Sequence, residues 1–271
     1  MGFKKTWIWV VGLLLLGACS KEEQEGAHDH IRLLGHGGMG IYHTFPMNSM
    51  ESILRSLSFP VDGTEVDVQM TRDSILVLFH DREMEASTGF KGVIADQEWS
   101  TIQNVYYRFP AHAQYKVVRL NDLLDQPQPP NLYLDIKMFQ VGQPYNSYRD
   151  RFVRTLVRTL LDSEWDLSRI AVESGDSLFL NQFRSLVPES PLYFKGSLTE
   201  AVDAALTHAY RGIVLSVEGL QKREVTWVQD QGLEVVGFNI HTRSRHRKAL
   251  ELGIDVIQSD NVPYMVRLMG R

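Results

Sequence analysis

Short apolar runs rich in β-branched residues alternate with longer amphipathic segments along most of this 271-residue chain. The short runs are typical of strands and the longer segments are typical of helices. Eight runs are predicted to be strands: 31–36, 64–69, 132–137, 170–173, 192–195, 213–215, 234–239 and 256–259. A repeated strand-then-helix order requires parallel strands with the helices outside the sheet. Eight such units favour an α/β fold with a closed (β/α)8 barrel (TIM barrel) over an open sheet.

The N-terminal segment MGFKKTWIWVVGLLLLGAC is typical of a secretory signal and is too short for a stable membrane-spanning helix. Its last four residues, LGAC at 16–19, resemble the lipobox of bacterial lipoproteins. In that group cleavage precedes the cysteine, which then carries lipid. The resemblance predicts a signal peptide at 1–18, a lipidated Cys19 and a flexible tether over 19–30. The alternatives are a plain signal peptide with an incidental cysteine, or an uncleaved anchor.

These segments leave one predicted domain at 31–271, with an insertion around 81–130 where no helix is obvious. Residues 19–271 come close to the roughly 250 residues typical of a (β/α)8 barrel. The predicted location is the bacterial cell envelope, with a lipid anchor in the outer membrane, on its periplasmic or surface face. The chain has 33 acidic and 28 basic residues, a net charge of −5, which argues against a nucleic-acid partner.

Two carboxylates lie close together in the segment GTEVDVQMTRDSILVLFHD at 63–81. Glu65 and Asp67 are two residues apart in a predicted strand, so their side chains project from the same face. Like charges at this spacing repel, so a cation must lie between them or one carboxyl must be protonated. The same segment ends with His80 and Asp81.

Polar residues recur at the carboxyl ends of the predicted strands, where (β/α)8 enzymes carry their catalytic groups. They are His36, Glu65, Asp67, Asp135, Lys137, Glu173, Lys195, Asn239, His241 and Asp260.

Five blocks of sequence together resemble the glycerophosphodiester phosphodiesterase family. They are GHGG at 35–38, NS at 48–49, GTEVDVQMTRD at 63–73 with HD at 80–81, LDIK at 134–137, and GIDVIQSDN at 253–261. The resemblance implies metal-dependent hydrolysis of a small-molecule glycerophosphodiester to sn-glycerol 3-phosphate and an alcohol.

By this resemblance Glu65, Asp67 and Asp135 are the metal ligands. Oxygen ligands suit Mg²⁺ or Ca²⁺ better than Zn²⁺. His36 and His80 match the two family histidines that transfer protons, although the sequence does not say which is the acid.

The resemblance also places Lys137 beside the substrate phosphate. Asn48 matches an asparagine of the family and could cap the first helix or contact the site; a cap is favoured.

Three positions depart from the family pattern. Gly37 stands where the family has arginine, Met47 where it has glutamate, and Asp135 where it has glutamate. Loss of the arginine and its nearby glutamate together is coherent, because the loss of one alone would leave a buried charge unpaired.

Either Lys195 or Arg243 could take over the missing arginine's role at the phosphate. The alternative functions are a phospholipase-like phosphodiesterase acting on a bulkier substrate, favoured by an opening at Gly37, and a non-catalytic glycerophosphoryl-binding lipoprotein. Turnover is favoured because a pure binding protein needs no pair of proton-transfer groups.

Overall fold

The computed structural model describes residues 28, 30–41, 45–108 and 113–271. The predicted signal peptide at 1–18, the lipidated Cys19 and most of the predicted tether over 19–30 lie outside the described residues. Within the described ranges, no helix has both the length and the apolar composition needed to cross a membrane.

The strands in chain order are β1 (Arg32–His36), β2 (Gly63–Met70), β3 (Leu76–Leu78), β4 (Val118–Arg119), β5 (Leu132–Ile136), β6 (Ile170–Ser174), β7 (Leu192–Lys195), β8 (Gly212–Ser216), β9 (Glu234–Ile240) and β10 (Val256–Ser259). Strands β1, β2 and β5 to β10 pair in parallel, and β1 pairs with both β10 and β2. These pairings close the sheet into the predicted eight-stranded (β/α)8 barrel, which is confirmed.

The helices are α1 (Met50–Leu57), α2 (Glu85–Thr88), α3 (Trp99–Ile102), α4 (Leu120–Leu124), α5 (Tyr145–Leu161), α6 (Ser177–Arg184), α7 (Leu198–His208), α8 (Lys222–Asp230), α9 (Arg243–Leu252) and α10 (Val262–Leu268). Two of the longer outer helices begin at side-chain caps. Asp176 accepts hydrogen bonds from the backbone of Leu178 and Phe179, and Thr242 accepts one from Arg245. Such caps satisfy the free N–H groups of the first turn and set where each helix begins.

The predicted insertion at 81–130 contains α2, α3 and α4, which have only four or five residues each. Helices this short show no periodicity in the sequence, which explains why none was predicted there. Strands β3 and β4 extend β2 as an antiparallel ribbon above the barrel. The segment has an apolar cluster of its own, which includes Phe79, Met84 and Tyr107.

Alternation along β2 and β5 separates the apolar core from the polar interior of the barrel. Val66, Val68 and Leu134 pack in the layer between strands and helices. Glu65 and Asp67 alternate with these valines and therefore project into the barrel.

Candidate active site

Three carboxylates converge inside the upper end of the barrel. Asp67 on β2 pairs in register with Asp135 on the neighbouring strand β5, and Glu65 lies two residues before Asp67. One ligand oxygen from each of the three lies within 4.8 Å of the others. Their exposed fractions are 1%, 0% and 4% for Glu65, Asp67 and Asp135. Three buried carboxylates at this spacing need positive charge close by.

Two lysines supply part of that charge. Lys137 Nζ lies 2.9 Å from Asp67 Oδ1 and 2.7 Å from Asp135 Oδ2. Lys195 Nζ donates to the same oxygen of Asp135. Two ammonium groups against three carboxylates leave one negative charge, so the cluster can accept a hard divalent cation.

The pKa values of the three carboxyls diverge because their surroundings differ. Burial and the neighbouring charge of Asp67 raise the pKa of Glu65 to about 7. Burial also opposes ionisation of Asp67 and Asp135, but the charge of Lys137 outweighs it and lowers both pKa values. Glu65 is thus the carboxyl that most lacks a positive partner.

Asn48 holds Asp67 in place and does not cap the first helix, so the favoured interpretation of its role was wrong. Its Nδ2 donates to Asp67 Oδ2 at 2.7 Å, and its Oδ1 accepts from Asp67 N at 2.9 Å. The N-cap of α1 is Ser49, which accepts from Ser52 N. Asn48 has a φ of +64°, a left-handed conformation that asparagine adopts more readily than most residues. Asn48 is thus one residue too early in the chain to be the N-cap, and its amide reaches the carboxylate cluster and not the end of the helix.

His36 lies beside the cluster and is held by a buried aspartate. Its Nδ1 is 2.9 Å from Asp260 Oδ1, and its Nε2 is 3.8 Å from Glu65 Oε2. His241 Nδ1 lies 2.7 Å from Asp260 Oδ2, in a contact that lacks the alignment of a hydrogen bond. Burial lowers the pKa of His36, but the hydrogen bond to Asp260 and the charge of Glu65 outweigh it and raise the pKa to about 9.

His80 lies across from His36 at the edge of the insertion. Its Nδ1 is 2.9 Å from Asp81 Oδ1, and Ser87 Oγ donates to Asp81 Oδ2 at 2.7 Å. The hydrogen bond that His80 donates to Asp81 raises the pKa of His80. Both imidazoles line one cavity of about 350 Å³. Each imidazole is therefore oriented by a carboxylate at Nδ1 and can use its other nitrogen in that cavity.

Gly37 and Met47, where the family has arginine and glutamate, contact each other. The N–H of Gly37 donates to Glu65 Oε2 at 3.0 Å. A Cβ placed on Gly37 would lie 2.8 Å from Met47 Cβ and Cε. The methionine side chain thus fills the space next to Gly37, and the site is less open there than the sequence suggested.

Arg243 lies apart from the carboxylate cluster. Its guanidinium is over the ring of Tyr264, 5.4 Å from the centroid, and lines a separate cavity with Thr242 and His246. Of the two candidates for the missing arginine's role, Lys195 is the one that contacts a carboxylate of the cluster.

Three residues of the site had been predicted to lie at the strand ends but without a role: Glu173, His241 and Asp260. Glu173 is buried in β6, accepts from Gln258 Nε2 at 2.8 Å, and its other oxygen has no hydrogen-bond partner among the described residues. Burial raises the pKa of Glu173 to about 8. Two sequence features pointed to Asp260, its place at the end of a predicted strand and the block GIDVIQSDN at 253–261, and its contact with His36 joins β10 to β1.

The model of the glycerophosphoryl diester phosphodiesterase family matches residues 36–263, which include both histidines and all three carboxylates. The chain belongs to the glycerophosphoryl diester phosphodiesterase family. Members of this family are phosphoric diester hydrolases.

Individual relatives of this chain are distant in sequence. A glycerophosphodiester phosphodiesterase from Bacillus subtilis is 23% identical over 246 residues, which cover 83% of this chain and 82% of the relative. The YqiK protein of Bacillus subtilis is 24% identical over 139 residues, so the match spans 50% of this chain and about half of that relative, 56%.

A solved structure shares the barrel. The phosphodiesterase from Oleispira antarctica, in complex with the product sn-glycerol-3-phosphate, matches with a TM-score of 0.74 at 18% identity. The match covers 90% of this chain and 98% of that one. At this identity the likeness shows the shared fold of the family.

Proposed function

We propose that this chain hydrolyses glycerophosphodiesters to sn-glycerol 3-phosphate and an alcohol. The observation that carries the proposal is the placement of His36 and His80 around one cavity, with three buried carboxylates beside His36. Membership of a family of phosphoric diester hydrolases supports it. So does the product bound to the Oleispira antarctica relative of the same fold.

Glu65, Asp67 and Asp135 would hold the divalent cation, either Mg²⁺ or Ca²⁺. Their donor set is oxygen only, is buried, and carries one negative charge more than the neighbouring lysines neutralise. When bound, the cation supplies positive charge that neutralises the phosphodiester and orients it. Lys137 and Lys195 add fixed positive charge at the same place.

The two histidines would carry the protons of a two-step reaction. A free hydroxyl of the substrate's glycerol attacks phosphorus, and the bond from phosphorus to the alcohol oxygen breaks. One imidazole takes the proton of the attacking hydroxyl while the other gives a proton to the departing alcohol. Water then opens the cyclic phosphate with the two roles exchanged, and both imidazoles return to their starting states. Asp260 and Asp81 keep the rings oriented throughout.

A non-catalytic glycerophosphoryl-binding protein fits the site less well. Such a protein needs the carboxylates and the lysines, but it has no use for two imidazoles that each have a carboxylate at Nδ1. This pairing is typical of groups that must gain and lose a proton.

The purified full chain in detergent, incubated with glycerophosphocholine and Mg²⁺ or Ca²⁺, should release sn-glycerol 3-phosphate and choline. His36→Gln should lower kcat by about 10²–10⁴-fold, the range that a proton-transfer group contributes. His30→Gln is the matched control, because His30 is exposed and outside the barrel strands. No release of choline by the unaltered chain with either ion would contradict the proposal.

We also propose that a lipid on Cys19 anchors the chain in the outer membrane. The support is the LGAC sequence at 16–19 after the apolar run. Cys19→Ala should move the protein from the membrane fraction to the soluble fraction of the cell envelope. Retention of the variant in the membrane would contradict the anchor without bearing on catalysis.

A further inference from the structure

A second cavity, of about 630 Å³, lies at the amino end of the barrel. It is formed where strands β1, β5, β6 and β7 begin and where the chain enters β8. The carboxylate cluster and both imidazoles belong to the opposite end, and none of them lines this cavity. The amino-end cavity is therefore separate from the candidate active site. Its charged lining residues are Arg32, Arg169, Arg184, Glu189 and Arg211.

Two of these arginines share one carboxylate. Arg32 Nη2 donates to Glu234 Oε2, and Arg211 Nε donates to Glu234 Oε1 at 2.8 Å. The hydroxyl of Tyr193 donates to Glu234 Oε2 at 2.7 Å, so both oxygens of the carboxylate are occupied. Two guanidinium groups against one carboxylate leave a positive charge. Each guanidinium also has more N–H donors than these bonds use, so donors remain for a ligand.

Arg184 adds a third guanidinium, which has no carboxylate partner among the described residues. Its Nη1 donates to the carbonyl of His208, and its Nη2 donates to Asn181 Oδ1 at 3.1 Å. The guanidinium lies over the ring of Tyr210, 5.5 Å from the centroid. These contacts hold the group in one orientation without neutralising it, so it is preorganised to pair with an anion.

The other charged residues around the cavity do not cancel this excess. Arg169 Nε lies 3.6 Å from Asp166 Oδ2, in an exposed pair whose charges balance. Glu189 is exposed and has no ion-pair partner within the described ranges. Three guanidinium groups against the carboxylates of Glu189 and Glu234 still leave one positive charge. The cavity therefore favours an anion over a cation.

We propose that the amino-end cavity binds a phosphate monoester. This group carries about −1.5 to −2 charges near neutral pH, and its oxygens accept from guanidinium groups in bidentate pairs. The volume of the cavity lies in the range typical of small-molecule sites, so it has room for the organic part of the ester as well. The inference goes beyond the proposed hydrolysis and does not depend on it.

Two sources can offer such a group, a soluble phosphate ester and the head group of a lipid. The cavity lies at the end of the barrel where β1 begins, because Arg32 is the first residue of that strand. The predicted tether over 19–30 joins the barrel at this same end. A chain anchored through Cys19 would thus keep the cavity near the membrane surface, so the experiment includes a lipid.

Inorganic phosphate is the first probe. Added to the purified full chain in detergent, it should raise the Tm with the logarithm of its concentration, because a ligand of the folded state stabilises that state. Arg184→Gln should weaken the apparent affinity by about tenfold, through the loss of a charge-assisted hydrogen bond. Arg158→Gln is the matched control. Both arginines lie in the last turn of an outer helix, but Arg158 does not line the cavity.

The second probe is a vesicle of phosphatidylcholine, alone or mixed with phosphatidic acid, whose head group is a phosphate monoester. If a lipid is the source, phosphatidic acid should increase the fraction of the wild type that sediments with the vesicles. Arg184→Gln should lose this increase and Arg158→Gln should keep it. The lipid on Cys19 is the same in all three proteins, so it does not affect the comparison.

A response to either probe that only Arg184→Gln loses would support the site, and the probe that gives it identifies the source. No response to either probe, or an equal response in the two variants, would overturn the inference. Arg184→Gln should keep the wild-type kcat with glycerophosphocholine, since Arg184 lies at the opposite end of the barrel from the imidazoles. Failure of this inference therefore leaves the proposed function standing, and the reverse also holds.

Discussion

Met47 packs directly against the bare Cα of Gly37, so closely that a Cβ there would lie 2.8 Å from two of its carbon atoms. Gly37 also has a φ of +54°, in the left-handed region. By the resemblance in sequence, the two residues occupy the positions of an arginine and a glutamate of the family. The two positions are coupled by this contact, since an arginine at 37 would collide with methionine at 47.

Gly37→Arg alone should therefore destabilise the protein. Overpacking costs about 1–3 kcal/mol, and the left-handed backbone adds about 1–2 kcal/mol for a residue with a side chain. The double variant Gly37→Arg/Met47→Glu should recover part of this loss, because the methionine is removed and the new charges pair. Urea unfolding of the wild type, both single variants and the double variant measures the coupling. Additive losses would show that the two side chains do not share this space.

Glu65→Gln should abolish the stabilisation that a divalent cation gives. A bound ion raises the melting temperature by mass action, so Mg²⁺ or Ca²⁺ should raise the Tm of the wild type in proportion to the logarithm of its concentration. The variant should lack this response yet be at least as stable without added ion, since one of three crowded carboxylates becomes neutral. Glu251→Gln, at an exposed position on α9, is the control and should behave as the wild type. An unchanged ion response in Glu65→Gln would exclude this carboxylate as a ligand.

Asp260→Asn should lower kcat by about 10–1,000-fold with little change in KM, because within the described part of the chain Asp260 acts through His36 and does not contact the carboxylate cluster. The variant amide cannot stabilise a protonated imidazole as the carboxylate does. The alkaline limb of the pH–rate profile should therefore move to lower pH, a shift that a purely structural role would not produce. His241→Gln, which alters the other contact of the same aspartate, should have the smaller effect. A larger loss in His241→Gln than in Asp260→Asn would contradict the assignment.

Asp81→Asn should lower the pKa of His80 toward its usual value, since the hydrogen bond that His80 donates to Asp81 is the largest cause of its elevation. A raised histidine pKa stabilises the fold below the unfolded value of about 6.5, and this contribution disappears as pH rises through the folded pKa. The stability difference between wild type and variant should thus be larger at pH 5.5 than at pH 9. This stability difference should stay below about 1 kcal/mol because both side chains are about half exposed.

NMR titration of the His80 ring measures its pKa, and urea unfolding at the two pH values measures the stability difference. A His80 pKa that does not move would contradict the role of Asp81.

The barrel could be predicted from local pattern, whereas its chemistry was implied by the resemblance to the family. Eight short apolar runs separated by amphipathic segments predict parallel strands with outer helices, because burial on both faces of a strand requires such runs. Glu65 and Asp67 were predicted to share a face from the two-residue period of a strand, and the structure places them together inside the barrel. The short helices of 81–130 could not be predicted, because four or five residues do not complete enough turns to show a period.

Only the tertiary structure decided the contacts between segments that are distant in the chain. Asp260 meets His36 across 224 residues because β10 closes the barrel against β1. The amide of Asn48 reaches Asp67 and not the helix end, because a left-handed turn directs it inward. The conformation of the same loop also places the side chain of Met47 in the space at Gly37. The sequence by itself determined which residue types each strand end carries, through periodicity and turn chemistry. Which side chains touch depends on barrel closure and loop conformation, and no local pattern encodes these.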